Sequence, residues 1–160
     1  MERADAAHTH ELFELIVCHQ GGGRLCLGGQ TIALQPGRVI LVGAGSEHHF
    51  EFSDGERAQL KFICFKGEDA ALFLSPAHTA ILARLADSFA DFDGDAAPTT
   101  GLDAALGCVP DVFGLADPQA LRVAWGAIGL VLALYETRHR HLASPQSRYQ
   151  GHVIRLQAWL

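Results

Sequence analysis

The chain has 160 residues and a mass of 17.2 kDa, the size of one domain or of a small domain with an appendage. Hydrophobic residues make up 49% of it and charged residues 19%, which excludes a disordered or collagen-like chain. The net charge of −6 argues against binding of a nucleic-acid phosphate backbone by this chain alone. Since no apolar run approaches the roughly 20 residues of a membrane span and no secretory pattern opens the chain, we expect a soluble cytoplasmic protein with no membrane partner.

The first 66 residues form a series of short apolar or alternating segments separated by glycine turns. Such spacing is typical of a small antiparallel barrel or sandwich. The predicted strands cover residues 12–19, 24–27, 30–34, 38–43, 48–53 and 57–65.

From residue 75 the pattern changes to helices, each opened by a capping side chain directly before proline. These pairs are Ser75-Pro76, Asp117-Pro118 and Ser144-Pro145. They predict helices over 76–92 and 118–141 and from 145 onward, with a short helical piece near 102–108. The apolar stretch 123–135 cannot face water all round, so we expect it to be buried in a partner such as a second copy of the chain.

Three residues near the N-terminus, His8, His10 and Glu14, alternate so that their side chains share one face of an extended strand. With His48 from a neighbouring strand they would form a mixed nitrogen and oxygen site for Zn²⁺, Fe²⁺, Mn²⁺ or Ni²⁺. His49 is one step out of phase with His48 and is expected on the opposite side as a surface or packing residue.

The four cysteines show no metal-finger spacing. Cys18, Cys26, Cys64 and Cys108 are therefore interpreted as buried, reduced thiols that act as small hydrophobic residues.

The barrel interior should also receive Leu12, Ile16 and Cys18 from the first strand and Phe50 beside His48. An apolar cavity with a few polar groups is what a small-molecule site requires. Two further residues, Arg24 and Arg38, are candidate anchors for an anionic effector, although arginines beside turns are more often solvated.

The face of the last predicted strand stays open at this point. A strict hairpin at Asp54-Gly55 places Gln59 and Lys61 on the His48 face. One bulge would instead place Leu60, Phe62 and Cys64 there.

Two motifs carry a family resemblance. The pattern His8-x-His10-x3-Glu14-x6-Gly21 matches the first cupin motif, and Gly37-x5-Gly43-x-Gly45-x2-His48 resembles the second. The second motif departs from the cupin pattern where Gly43 replaces proline and Phe52 stands in the place of asparagine. The resemblance implies an α+β fold, with a small antiparallel cupin (double-stranded β-helix) barrel followed by an α-helical dimerisation segment.

Within the cupins, the runs PGRVILVGAGSEHHFEF and LKFICF resemble the effector-binding domain of AraC-type transcription regulators, and HVIRLQAWL (152–160) resembles the opening helix of their DNA-binding module. The resemblance implies an effector-binding barrel over 1–72, a helical dimerisation region over 73–143, and a linker with the first helix of a truncated DNA-binding module over 144–160.

Two functional hypotheses follow from these motifs. In the first, a small molecule, a divalent transition metal or both bind in the barrel of a non-enzymatic sensor, which forms a homodimer through helices 76–92 and 118–141. DNA would be bound only through the missing C-terminal module. The alternative is a metal-dependent cupin enzyme, a dioxygenase or an isomerase, that uses the three histidines and Glu14.

Overall fold

The computed structural model describes residues 6–92 and 118–143 together with a short strand at residues 3–4. The predicted helices near 102–108 and from 145 onward, and Cys108, lie outside the described residues. The elements are β1 (Arg3–Ala4), β2 (Phe13–Gly21), β3 (Arg24–Leu27), β4 (Gln30–Ala33), β5 (Val39–Val42), β6 (His48–Phe52), β7 (Ala58–Phe65), α1 (Gly67–Phe73), α2 (Pro76–Leu85), β8 (Phe89–Phe92) and α3 (Pro118–Ala143). All six predicted strands are present, with ends shifted by two residues at most.

The strands form two antiparallel four-stranded sheets. The first sheet has the order β1-β6-β3-β4 and the second the order β7-β2-β5-β8. The prediction of a mixed α+β fold with antiparallel sheets is confirmed, whereas the predicted cupin barrel takes the form of two separate sheets that do not close among the described residues. Each hydrogen-bonded ladder of the described residues stays within its own sheet, and large side chains such as Leu25 and Ile40 fill the space between the two sheets.

β2 is buried on both of its faces. One face contributes Ile16 and Cys18 to an interior cluster between the sheets. The other contributes Phe13, Leu15 and Val17 to a helix-side core. The interior cluster consists of Ile16, Cys18, Leu25, Leu27, Ile32, Leu34, Ile40, Val42 and Phe50. Because β2 separates the two clusters, a displacement of this strand changes the packing on both sides of the second sheet.

α3 packs on the helix-side core and buries Ala124, Ile128 and Leu132 there. By length and composition residues 118–138 could also cross a membrane, but a core helix passes the same test. The predicted burial of this apolar stretch is therefore satisfied in part by the chain's own sheet. Leu130 stays exposed on the other side of the helix.

The predicted helix over 76–92 is wrong in its second half. α2 ends at Leu85, and Asp87 has a positive φ of 56° before the chain enters β8, which pairs with β5. The spacing of the apolar residues suited either structure, but Ala90 and Phe92 alternate into the helix-side core as a strand requires. β8 completes the second sheet at its edge.

The turn at Asp54-Gly55 joins the two sheets and is not a two-strand hairpin, because β6 belongs to the first sheet and β7 to the second. In the register of β7 with β2, Cys64 lies opposite Glu14, Phe62 opposite Ile16 and Leu60 opposite Cys18. Leu60, Phe62 and Cys64 therefore share the interior-facing side with Glu14. This is the second of the two alternatives that the sequence leaves open.

Candidate metal and effector site

Backbone hydrogen bonds hold the segment before β2 against β6. His8 and His48 form an isolated bridge, with N–H to O distances of 3.1 and 3.0 Å in the two directions. The N–H of Gly45 donates to the carbonyl of His10 at 2.9 Å. Gly45 has a φ of 88°, which favours glycine, and this turn brings the His8–His10 segment beside His48.

Three imidazoles converge at this end of the sandwich. The ring centroids lie 4.4 Å apart for His8 and His48, 5.1 Å for His10 and His48, and 5.9 Å for His8 and His10. One nitrogen from each ring lies within 4.8 Å of one nitrogen of the others. The predicted grouping of these three histidines is therefore present in the fold.

Glu14 places a carboxylate beside two of the three rings, those of His48 and His10. Its Oε2 lies 3.2 Å from Nε2 of His48 and 3.9 Å from Nε2 of His10. Glu14 is 8% exposed and His48 1%. Neither Glu14 Oε2 nor His48 Nε2 has an aligned hydrogen bond, although both atoms are buried. Two facing, unsatisfied buried atoms of this kind require a proton or a cation between them.

All three imidazoles are oriented by backbone carbonyls two residues away. Nδ1 of His8 lies 3.2 Å from the carbonyl of Ala6, Nδ1 of His10 lies 2.8 Å from that of Leu12, and Nδ1 of His48 lies 3.0 Å from that of Ser46. A carbonyl accepts only, so each Nδ1 carries the proton and donates. In the neutral ring this leaves the lone pair on Nε2, which is the form in which histidine binds metals.

Glu14 and His48 shift each other's pKa. Burial raises the pKa of Glu14, but the interactions with His48, Cys64 and His10 together outweigh burial and bring this pKa below its ordinary value. The Glu14 carboxylate raises the pKa of His48 against the opposing effect of burial. In the metal-free site His48 therefore favours its protonated form beside an ionised Glu14.

Cys64 is a site residue that the sequence analysis treated as a buried hydrophobic thiol. Its Sγ–H donates to Oε1 of Glu14 at 3.5 Å. Partial burial and the charge of Glu14 raise the pKa of Cys64 to about 11, so the group remains a neutral thiol near pH 7. The second register considered for β7 was the signal that could have placed it here.

A cavity of about 400 Å³, largely open to solvent, lies beside His10. Its lining is Thr9, His10, Glu11, Ala44 and Gly45. His10 thus belongs both to the imidazole group and to the wall of a space that can hold a small molecule.

The apolar residues predicted to line the pocket have different positions. Ile16 and Phe50 lie in the interior cluster, as expected. Leu12 lies in the bend before β2, is only partly buried and is not part of that cluster. The ring of Phe62 contacts Phe50 edge-on at 5.9 Å and is 43% exposed, at the open edge of the sandwich.

The two candidate arginine anchors are engaged in ion pairs. Arg24 Nε donates to Glu51 at 3.2 Å, on the face of the first sheet that points away from His48. Arg38 forms two parallel hydrogen bonds to Asp91, at 2.8 and 2.5 Å. Both guanidinium groups therefore hold parts of the fold together.

The prediction for the thiols holds in part. Cys18 is buried, whereas Cys26 is partly buried and Cys64 is exposed on the edge strand. The prediction that His49 faces away from His48 is confirmed, since His49 lies opposite Cys26 on the outer side of the first sheet.

The match with known proteins comes from one family. Residues 2–106 match the family model described as the AraC-like ligand binding domain. A search of curated proteins found no significant match. The match covers both sheets and the helices α1 and α2.

Proposed function

The chain belongs to the family of AraC-like ligand binding domains, and we propose that it senses its effector through a divalent transition metal held by His8, His10, Glu14 and His48. The predicted resemblance to AraC-type effector domains is confirmed by this match. Ligand sensing in an AraC-type regulator follows from the family. The metal, the dimer, the attached DNA-binding module and the cytoplasmic location are parts of the proposal.

The observation that carries the metal proposal is the convergence of three imidazoles, one nitrogen of each lying within 4.8 Å of the others, with the buried carboxylate of Glu14 3.2 Å from Nε2 of His48. Nε2 of His10 lies 3.9 Å from Oε2 of Glu14, and His8 contributes a ring nitrogen within 4.8 Å of those of the other two histidines. Three imidazoles and one carboxylate suit Zn²⁺, Ni²⁺, Fe²⁺ or Mn²⁺. When bound, such an ion supplies a Lewis acid to which donor atoms of an effector can attach.

The cavity bounded by His10 and Gly45 supports an effector that reaches this site from outside the sandwich. A molecule in this space lies beside His10 and need not enter the interior cluster, whose members are nearly fully buried. We therefore favour an effector with a metal-binding oxygen or nitrogen at one end and a body that occupies the cavity.

β2 offers a physical route from the site to the helices. Glu14 faces the imidazoles, while its neighbours Phe13 and Leu15 face the helix-side core that includes Ile128 of α3. A ligand that draws Glu14 toward a metal therefore acts on the packing of α3. To shift the output it must prefer one of two arrangements, since equal affinity for both shifts nothing.

We propose that α2 and α3 present the homodimer surface and that DNA is bound through a module that follows α3. The exposed Leu130 and the open surface at Gly126 of α3 are compatible with a second copy. The cytoplasmic location belongs to this proposal, because a regulator of this class acts on DNA.

A metal-dependent cupin enzyme is the second candidate, and the presence of three imidazoles with one carboxylate favours it. The two candidates differ in what the loaded protein does. Dioxygen consumption by the Fe²⁺ form, or sugar isomerisation by the Zn²⁺ or Mn²⁺ form, would favour the enzyme. A metal-dependent change in self-association with no turnover would favour the sensor.

The first test is calorimetric titration of the chelator-treated protein with each of the four metals. We expect one of them to bind at this site, and His48→Gln to weaken its binding by more than about 100-fold, the upper range for loss of a supporting residue. His78→Gln, on α2 and outside the site, is the matched control and should bind as the wild type does. Equal affinity of His48→Gln and wild type would overturn the metal proposal.

A further inference from the structure

A second group of ligand-type side chains lies on the outer face of the first sheet. Cys26 of β3 is directly opposite His49 of β6, and Glu51 follows two residues later on the same face. Their potential ligand atoms lie within 4.8 Å of one another, and all three residues are partly buried. We refer to Cys26, His49 and Glu51 as the outer triad.

We propose that the outer triad is a separate binding site for a thiophilic divalent cation of the Zn²⁺ type. Thiolate, imidazole and carboxylate are the three side-chain ligands that Zn²⁺ takes in proteins. The edges of a tetrahedron with zinc bond lengths measure roughly 3.4–3.8 Å, so small side-chain rotations bring the outer triad to this geometry. A solvent molecule completes the coordination, because the face is accessible.

The strand positions make the outer triad a stable platform. β3 and β6 are the two central strands of the first sheet, and each is paired on both sides. Cys26 and His49 therefore keep a fixed cross-strand separation that neither backbone can change alone. A site on central strands holds its ligands more firmly than one on a loop.

The present contacts show what a cation would replace. His49 Nε2 lies 3.3 Å from Oε1 of Glu51, and Arg24 Nε donates to Oε2 of the same carboxylate at 3.2 Å. A cation bound to Oε1 leaves Arg24 on Oε2, where it orients the carboxylate. Binding to sulfur forms a metal–thiolate bond and releases the thiol proton of Cys26 to solvent, so the cation competes with one proton.

The outer triad is independent of the imidazole site. Cys26 and His49 alternate along their strands with Leu27 and His48, which face the interior. The sheet itself separates the two groups, so neither set of ligands can serve the other. Cation binding at the outer triad therefore does not depend on the imidazole site.

Cobalt titration tests the proposal, because Co²⁺ bound to a thiolate gives a near-ultraviolet charge-transfer band that imidazole and carboxylate ligands do not give. We expect this band in the wild type, its loss in Cys26→Ser, and its retention in His48→Gln and Cys64→Ser. We also expect Zn²⁺ to displace the cobalt and abolish the band.

Three results would overturn the assignment: the wild type gives no band, Cys26→Ser keeps it, or Cys64→Ser loses it. The last would place the thiolate ligand in the imidazole site. Circular dichroism shows whether Cys26→Ser is folded. If Cys26→Ser does not fold, His49→Gln is tested in its place. We expect His49→Gln to lose cobalt affinity by at least about 10-fold. Unchanged affinity in His49→Gln would equally refute the site.

Discussion

Oε2 of Glu14 lies 3.2 Å from Nε2 of His48, and neither buried atom has another aligned partner. Because Nδ1 of His48 faces the carbonyl of Ser46, Nε2 is the atom that must take up either a proton or a metal ion. The metal-free site is therefore expected to hold a proton between the two residues. A cation that enters the site displaces that proton.

We expect Glu14→Gln to lower the pKa of His48 from its raised value. The substitution removes the carboxylate that favours the imidazolium, while burial, which disfavours it, remains. NMR titration of the His48 ring in chelator-treated protein measures the change. The ring of His78 on α2 is an internal control, and an unchanged titration of His48 in the variant would show that Glu14 does not govern its charge.

The stability of the metal-free protein should depend on pH through the same pair. Because the pKa of His48 is raised in the folded state, it contributes stability that is fully present below pH 6.5, its ordinary pKa. That stability is lost as the pH rises through the pKa of the folded state. Because the pKa of Glu14 is lowered in the folded state, it contributes stability that is present above pH 4.5, its ordinary pKa. That stability is lost as the pH falls through the pKa of the folded state. We expect a maximum in Tm between these limits, flattened in Glu14→Gln, whereas an identical profile in both proteins would contradict the pairing.

Metal binding should reverse the high-pH loss of stability. At a free metal concentration 100-fold above Kd, binding to the folded state alone adds about 2.7 kcal/mol. Since the metal competes with the proton on His48, the rise in Tm should be larger at pH 8 than at pH 6. Thermal unfolding with and without metal measures this, and His48→Gln is the control. A larger rise at the lower pH would argue against His48 as a ligand.

Asp91→Ala should destabilise the fold without weakening metal binding. Asp91 accepts two hydrogen bonds from Arg38, and their loss leaves a largely buried guanidinium without this carboxylate. We expect a loss of about 1–3 kcal/mol in the free energy of unfolding, typical of a charged hydrogen bond. Urea unfolding and metal titration test the two parts. A loss of metal or effector binding at unchanged stability would instead support Arg38 as an effector anchor.

Gly43→Ala should destabilise the protein because a Cβ at this position would lie 1.7 Å from the carbonyl oxygen of Leu85. The chain end of α2 would have to move, and we expect a cost of about 1–3 kcal/mol or more, as for overpacking. Gly126→Ala on α3 is the matched control, since no described atom lies within 4 Å of the new Cβ. It should gain up to about 1 kcal/mol from helix propensity. Equal effects of the two changes would contradict the close approach at Gly43.

The order and limits of the first strands could be predicted from the sequence, because alternation and glycine turns act over a few residues. The same local regularity put His49 out of phase with His48. It did not place His8, His10 and Glu14 on one strand, because the chain bends at residues 11–12 and β2 begins at Phe13, so contacts with His48 and Gly45 bring the two histidines to Glu14. The motif spacing then indicated the family. These are short-range properties of the backbone, and they hold whatever the chain packs against.

The tertiary structure decided which distant residues meet. The pairing of β7 with β2 brings Cys64 to Glu14. Arg38 forms its ion pair with Asp91, and Arg24 forms its ion pair with Glu51. Residues 89–92 form an edge strand and not the predicted helix, and the two sheets do not close among the described residues. Each of these outcomes depends on which sheet a strand joins. That choice is made by burial of whole faces against one another, so the pattern within a single segment does not contain it.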